Sequence, residues 1–233
     1  MRLVSFFVLG TLTAFSAWAD HDEIKLQDGF SVEHYLYKPS GKGPYPAVIV
    51  QHTIGGLREF EKEFARELSG ENYVTVAVNW LSGTAWPYQK VGAVYDNLRK
   101  LPYVDPDRIG MVGFSRGAFN AMKMANDWHK DRPVRAVVSY YMGRGVVDQE
   151  PELPPILFLH GDGDIETVAD QVVAACEKLK KMGNVCEVKI YKNTLHAFTH
   201  KSRYGPYDHQ TTVDAYKRAV AFLNKYLRNA PIN

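Results

Sequence analysis

Short, unbroken apolar runs alternate with stretches of helical periodicity from Phe30 to the end of the chain, and no other feature narrows the fold as much. Phe30 to Tyr37 alternates like an early strand. Ala47-Val48-Ile49-Val50 is apolar on both sides of the backbone, as a strand buried on two faces must be. Phe60, Phe64 and Leu68 follow at helical spacing, with Gly70 placed to end that helix. Val74 to Val78 reads as a strand, and Val91, Val94, Tyr95 and Leu98 as a helix before Pro102. Ile109 to Phe114 is a further strand, and Ala118, Ala121, Met122 and Ala125 mark the helix behind it. Val134 to Ser139 and Ile156 to His160 read as strands. Val168, Val172, Ala175, Cys176 and Leu179 make the stripe of a helix, followed by a strand from Cys186 to Tyr191. A closing helix carries Val213, Tyr216, Val220, Leu223 and Leu227. This alternation predicts an α/β fold, a mostly parallel sheet with helices on both faces. No repeat or linker divides it, so residues 20–233 are expected to form one domain.

The 233 residues are 45% apolar and 23% charged, which suits one sizeable core. A net charge of +2 without a clustered basic face argues against a nucleic-acid or anionic-membrane partner. The run Lys178, Lys180 and Lys181 reads as the solvated face of a helix. At the N-terminus, Arg2 precedes an apolar stretch from Leu3 to Phe15, and Ala17-Trp18-Ala19 has the small-x-small pattern of a signal-peptidase site. Residues 1–19 are therefore expected to be a signal peptide. The mature chain would begin near Asp20 in an oxidising compartment, periplasmic or extracellular. The apolar stretch is short for a membrane span, and no later stretch matches one.

Gly113-Phe114-Ser115-Arg116-Gly117 has the G-x-S-x-G form of a nucleophile elbow. Ser115 would stand on a sharp strand-to-helix turn, and the glycines would leave room where a Cβ clashes. The pattern alone is weak, but here it follows an apolar strand and opens a small-residue helix. A serine hydroxyl needs a neutral imidazole to take its proton, and the imidazole needs a carboxylate to fix its tautomer. In such folds these partners follow in the order Ser, Asp, His. His160-Gly161-Asp162-Gly163-Asp164 ends a strand, and Asp164 is the candidate acid; Asp162 competes for that role or caps the turn. His196, just past the last strand, is the candidate base, with His200 the alternative. Reading His196 and His200 as a metal pair fails for want of a carboxylate or cysteine at supporting spacing. His160 is expected to brace the loop under Asp164. For the oxyanion, one backbone N–H should come from Arg116. The other should come from Gln51-His52-Thr53-Ile54-Gly55-Gly56-Leu57, with Ile54 the candidate.

Together these residues resemble the dienelactone hydrolase family over nearly the whole mature chain. The marks are Val104-Asp105-Pro106-Asp107-Arg108-Ile109-Gly110 leading into the Ser115 elbow, then His160-Gly161 with Asp164, then His196-Ala197-Phe198. The resemblance implies an α/β-hydrolase fold, no cofactor, and hydrolysis of a small ester or lactone through an acyl-enzyme. Two departures bear on substrate. Dienelactone hydrolases proper are cytoplasmic and carry cysteine at the elbow, so a general carboxylesterase is the better reading. A peptidase or amidase with the same triad, or an inactive binding module, are the alternatives.

The stretch between Ser139 and Ile156 is too short for a cap domain, so an open, shallow site is expected. Trp80, Trp86, Tyr88, Tyr140, Tyr141 and Tyr204 either line it or pack elsewhere, and Arg144 and Arg203 are candidates for a substrate carboxylate. Cys176 and Cys186 are the only cysteines. Helix and strand rises bring them nearly level, which leaves open a disulfide or two buried thiols held apart across the helix-sheet layer.

Overall fold

The computed structural model describes residues 18–25, 31–81, 86–128, 131–143, 153–201 and 207–228, the first stretch as backbone. Eight strands form one sheet: β1 (Trp18–Lys25), β2 (Ser31–Lys38), β3 (Tyr45–Gln51), β4 (Val74–Val78), β5 (Val104–Phe114), β6 (Val137–Tyr140), β7 (Ile156–Gly161) and β8 (Cys186–Tyr191). Their order is β1-β2-β4-β3-β5-β6-β7-β8. β2 pairs antiparallel with both β1 and β4, while β4 through β8 run parallel. Parallel strands need covered faces, and the continuous Val-Ile-Ala runs of β3 and β4 supply two apolar faces at once.

Those faces build two cores. Ala47, Ile49, Val74, Val76, Ile109 and Met111 face α2 (Pro87–Leu98), α3 (Arg116–Asp127) and α4 (Ala169–Lys181). The alternate residues Val48, Val50, Ala77, Val112 and Phe114 face α1 (Glu59–Ser69) and α5 (His209–Leu223). Each fully buried Val, Ile or Leu contributes ~1.5–3 kcal/mol of apolar burial. The sheet centre is therefore rigid, and its C-terminal edge is a firm base for loops.

The structure departs from the sequence expectations in definite ways. β1 was not anticipated: its polar run Asp20-His21-Asp22-Glu23 carries no apolar signal, because it is an edge strand held by ladder bonds to β2. It begins at Trp18. Gly70 does end α1, as its C-cap, but it does so with right-handed backbone (φ −63°), and the left-handed residue that turns the chain is Asn72 (φ 65°). Val168 lies outside the helical stripe, at the N-cap of α4 and 53% exposed. In α5 the inward face is Ala215, Ala219, Phe222 and Leu223, and Val213 lies on its open side. A wide π-turn at Asn224–Arg228 then brings Leu227 into the core against Gly110, where an added Cβ would lie 2.8 Å from it.

Cys176 of α4 and Cys186 of β8 are joined by a disulfide with a Cα–Cα distance of 5.5 Å, which resolves the open alternative. Among the described residues, no helix is long and apolar enough to cross a membrane.

Candidate active site

β5 ends in Phe114 and α3 begins at Arg116, so one residue, Ser115, must make the turn. It does so at φ 52° and ψ −112°, a conformation a non-glycine residue adopts only when its surroundings compel it. The compulsion is visible. Ser115 N–H donates to Tyr140 O (3.0 Å), and its carbonyl accepts from Ala118 N (3.0 Å) as the first turn of α3. The flanking glycines are required by contact. A Cβ on Gly113 would sit 2.4 Å from Gly117 O, and one on Gly117 would sit 2.3 Å from Gln51 O.

Three loops at the C-terminal edge of the sheet converge on this serine. From the β8–α5 loop, His196 Nε2 lies 2.8 Å from Ser115 Oγ. His196 Nδ1 lies 2.7 Å from Oδ2 of Asp164, on the loop after β7. The Asp164 side chain is fully buried, whereas that of His196 is 22% exposed. Oδ1 of Asp164 accepts from the N–H groups of Glu166 (2.9 Å) and Thr167 (3.4 Å), so the carboxylate is oriented through both oxygens. Nδ1–H therefore points to the acid, and Nε2 is left as an acceptor for the serine proton. Asp162 turns away and accepts from Thr194 N (3.4 Å), the turn-capping role open to it.

The other histidines separate cleanly. His160 donates through Nε2 to Thr167 O (2.8 Å) and braces the Asp164 loop from beneath; burial pushes its pKa below the ordinary value. His52 lies flat on Trp80 (ring centroids 4.5 Å apart, planes 7°), and burial lowers its pKa to about 4. Trp80 Nε1 donates to His52 O (3.1 Å), and the buried Lys90 ammonium donates to Trp80 O (3.1 Å). His200 turns from His196 toward Glu61, whose Oε1 lies 3.4 Å from His200 Nε2.

The aromatic residues expected around the site mostly serve the core. Trp80 is a buried support for His52, and Tyr140 is buried with its hydroxyl donating to Ala215 O (3.1 Å). Tyr88 packs on Trp128 and donates to Asp127, and Trp86 is 76% exposed. Tyr141 does belong to the site. It sits edge-on to the His196 ring at 5.3 Å, and its buried hydroxyl bonds with Thr199 Oγ1. Tyr204, Arg144, Arg203 and most of the stretch read as too short for a cap lie outside the described residues.

Sequence reasoning missed Gly143, just past β6. A Cβ there would lie 3.0 Å from Ser115 Oγ and 3.8 Å from Arg116 N, so its missing side chain leaves room beside the Ser115 hydroxyl. A glycine in a loop gives no such signal until the loop is folded. A groove of about 560 Å³ between α1 and α5, floored by Phe60, Phe64, Tyr140 and Tyr216, is separate from this site. Its lining includes Tyr140, Thr199 and His200 but none of Ser115, Asp164 and His196.

A serine on an elbow, with its acid and base later in the chain on a parallel sheet, places the molecule in the α/β-hydrolase class. Comparison with known proteins narrows the class. The model of the dienelactone hydrolase family matches residues 88–227, and the chain belongs to that family. It is 27% identical over 226 residues to protein usf of Aquifex pyrophilus, covering 86% of this chain and 96% of that one. It is 25% identical over 227 residues to an Aquifex aeolicus protein named as a carboxymethylenebutenolidase, covering 87% and 96%. Among solved structures, a dienelactone hydrolase-like promiscuous phosphotriesterase from metagenomic libraries superposes with a TM-score of 0.75 at 19% identity, covering 90% and 98% of the two chains. A thermophilic esterase of Thermogutta terrifontis superposes with a TM-score of 0.71 at 18% identity, covering 96% and 98%.

Proposed function

We propose that the protein hydrolyses small carboxylic esters or lactones through an acyl-enzyme on Ser115. The observation that carries this reading is the unbroken chain from Ser115 Oγ to His196 to Asp164, with contacts of 2.8 and 2.7 Å. His196 Nε2 takes the hydroxyl proton as Oγ attacks the carbonyl carbon, and Asp164 stabilises the imidazolium that forms. The same nitrogen then protonates the departing alkoxide, which leaves as the alcohol or as the opened end of a lactone. Water, losing its proton to His196, attacks the acyl carbon, and the carboxylic acid is released as Ser115 regains its proton.

The tetrahedral oxyanion is assigned to two backbone donors, Arg116 N–H and Ile54 N–H. Arg116 N opens α3, where the helix dipole favours negative charge. In the turn after β3, Thr53 N–H contacts Glu61, Gly55 N–H contacts Thr53 Oγ1 and Gly56 N–H contacts Thr53 O. Ile54 N–H, between them, has no partner among the described residues. Ile54, Ile165 and Leu195 are exposed apolar side chains beside the oxyanion loop, the acid and the base, which favours a substrate with a short apolar acyl group.

The name of the Aquifex aeolicus relative denotes a lactone-opening enzyme. With serine at the elbow, a general short-chain esterase is the reading adopted here. The test is a panel of soluble esters of graded acyl length, one γ-lactone and one anilide. Saturable hydrolysis that peaks at short chains and is negligible for the anilide supports it. Preference for the anilide, or for long-chain emulsions, contradicts it. Export is proposed too, supported by the N-terminal pattern and by the disulfide. A mature N-terminus near Asp20 in the exported fraction is the expected result, and full-length protein confined to the cytoplasm is the contrary one.

A further inference from the structure

The oxyanion loop and the loop carrying His196 arise from different strands, yet one buried contact joins them. Glu61, in the first turn of α1, is completely buried, a placement an ionisable carboxylate tolerates only with partners. Its Oε2 accepts from Arg58 N (3.1 Å), reaching back to the N-cap as in a capping box. Its Oε1 sits 3.5 Å from Thr53 N and 3.4 Å from His200 Nε2. Glu61 therefore touches both ends of the turn that holds Ile54, and also the segment four residues beyond His196. His200 is buried and packs against the Phe60 ring at 4.5 Å, and its Nε2 faces Glu61 at close range without a hydrogen bond to any described residue. Its N–H closes a turn onto Ala197 O (2.9 Å), and Ala197 holds a left-handed φ of 59° directly after the base. Such a conformation persists only where neighbours fix it.

We propose that Glu61 and His200 are positioning residues whose contact locks the base loop to the oxyanion loop, fixing His196 relative to the Ile54 N–H. The proposal rests on the serine-hydrolase reading above and assigns these two residues no contact with substrate. A carboxylate suits the post because it accepts from both N–H groups while facing His200. The isosteric amide turns one acceptor into a donor aimed at a donor.

The test compares wild type with Glu61→Gln, His200→Gln, the double variant and Ser115→Ala, using a soluble short-chain p-nitrophenyl ester and a fluorophosphonate. Displacing a catalytic group by a fraction of an ångström to 1 Å costs about 10- to 100-fold. Glu61→Gln should therefore lower kcat by roughly that factor with KM within about threefold, and slow phosphonylation of Ser115 in parallel. His200→Gln should act in the same direction, and the double variant should be no worse than the more impaired single one, as residues in one contact are not additive. Wild-type kcat in folded Glu61→Gln, a rise in KM alone, or multiplying losses in the double variant would overturn the proposal. Should Glu61→Gln not fold, His200→Gln decides by the same split between kcat and KM. Ser115→Ala separates the two ideas. Full activity in that variant sinks the serine mechanism itself, whereas its inactivity beside an unimpaired Glu61→Gln sinks this inference alone.

Discussion

Ser115 is held in a backbone conformation that costs on the order of 1–3 kcal/mol, and the reward is a hydroxyl presented to His196 at 2.8 Å. The elbow was legible in sequence because Gly113 and Gly117 are needed at fixed distance from it, and the structure shows each glycine against backbone atoms. Choosing between Asp162 and Asp164 was harder. Both sit in one glycine-rich turn, and only the fold shows that Asp164 faces His196 while Asp162 faces Thr194. Asp164→Asn should thus lower kcat by roughly 10³- to 10⁴-fold, as the wrong imidazole tautomer is favoured. Asp162→Ala, which loses one long contact to a backbone N–H, should cost less than about tenfold. Steady-state kinetics on the two variants check this, and the reverse order would move the acid to Asp162. Gly143 yields a second residue-scale prediction. Gly143→Ala places a methyl group 3.0 Å from Ser115 Oγ, so kcat/KM should fall at least about tenfold with thermal stability within about 1 kcal/mol. Unchanged kcat/KM would show that substrate does not pass there.

At the scale of elements, strands buried on two faces declared themselves through unbroken apolar runs, and helices through their spacing. What stayed hidden was set by pairing. β1 is polar and is defined by its ladder with β2, and the wide turn that follows α5 carries no signal in the spacing, though Leu227 is buried as the stripe requires. The sequence leaves the Cys176–Cys186 pair open because the lateral offset of α4 over β8 cannot be counted along the chain. The bond closes a loop with a sequence separation of 10, which constrains the unfolded chain by about 2–3 kcal/mol in the chain-entropy account. It joins α4 to the outer strand of the sheet, apart from the triad contacts. Cys176→Ala/Cys186→Ala should therefore lose about 2–3 kcal/mol in denaturant unfolding while keeping its specific activity at 25 °C. Equal stability with the bond absent, or loss of activity in the folded variant, would contradict this.

The whole molecule has a pH dependence written into its buried imidazoles. Burial sets the His52 pKa at about 4 against an ordinary 6.5, and lowers that of His160 in the same direction. Above pH 6.5 these rings are neutral whether the chain is folded or not. As pH falls, the unfolded chain binds the protons first, so stability declines from about pH 6.5 toward pH 4. The His52 share is on the order of 3 kcal/mol, with His160 adding to it. Urea unfolding at pH 7, 5.5 and 4.5 should show that decline, and His52→Gln should flatten it. A flat profile in the wild type would mean that His52 is not held neutral. The central claim is that Ser115, activated by His196 and Asp164, carries an acyl group during turnover, and trapping at the nucleophile tests it most directly. A fluorophosphonate should abolish ester hydrolysis at one equivalent, and peptide mass mapping should place the adduct on Ser115. Ser115→Ala should fold normally, take up no label and lose nearly all activity. A label elsewhere, or an active Ser115→Ala enzyme, would contradict the account.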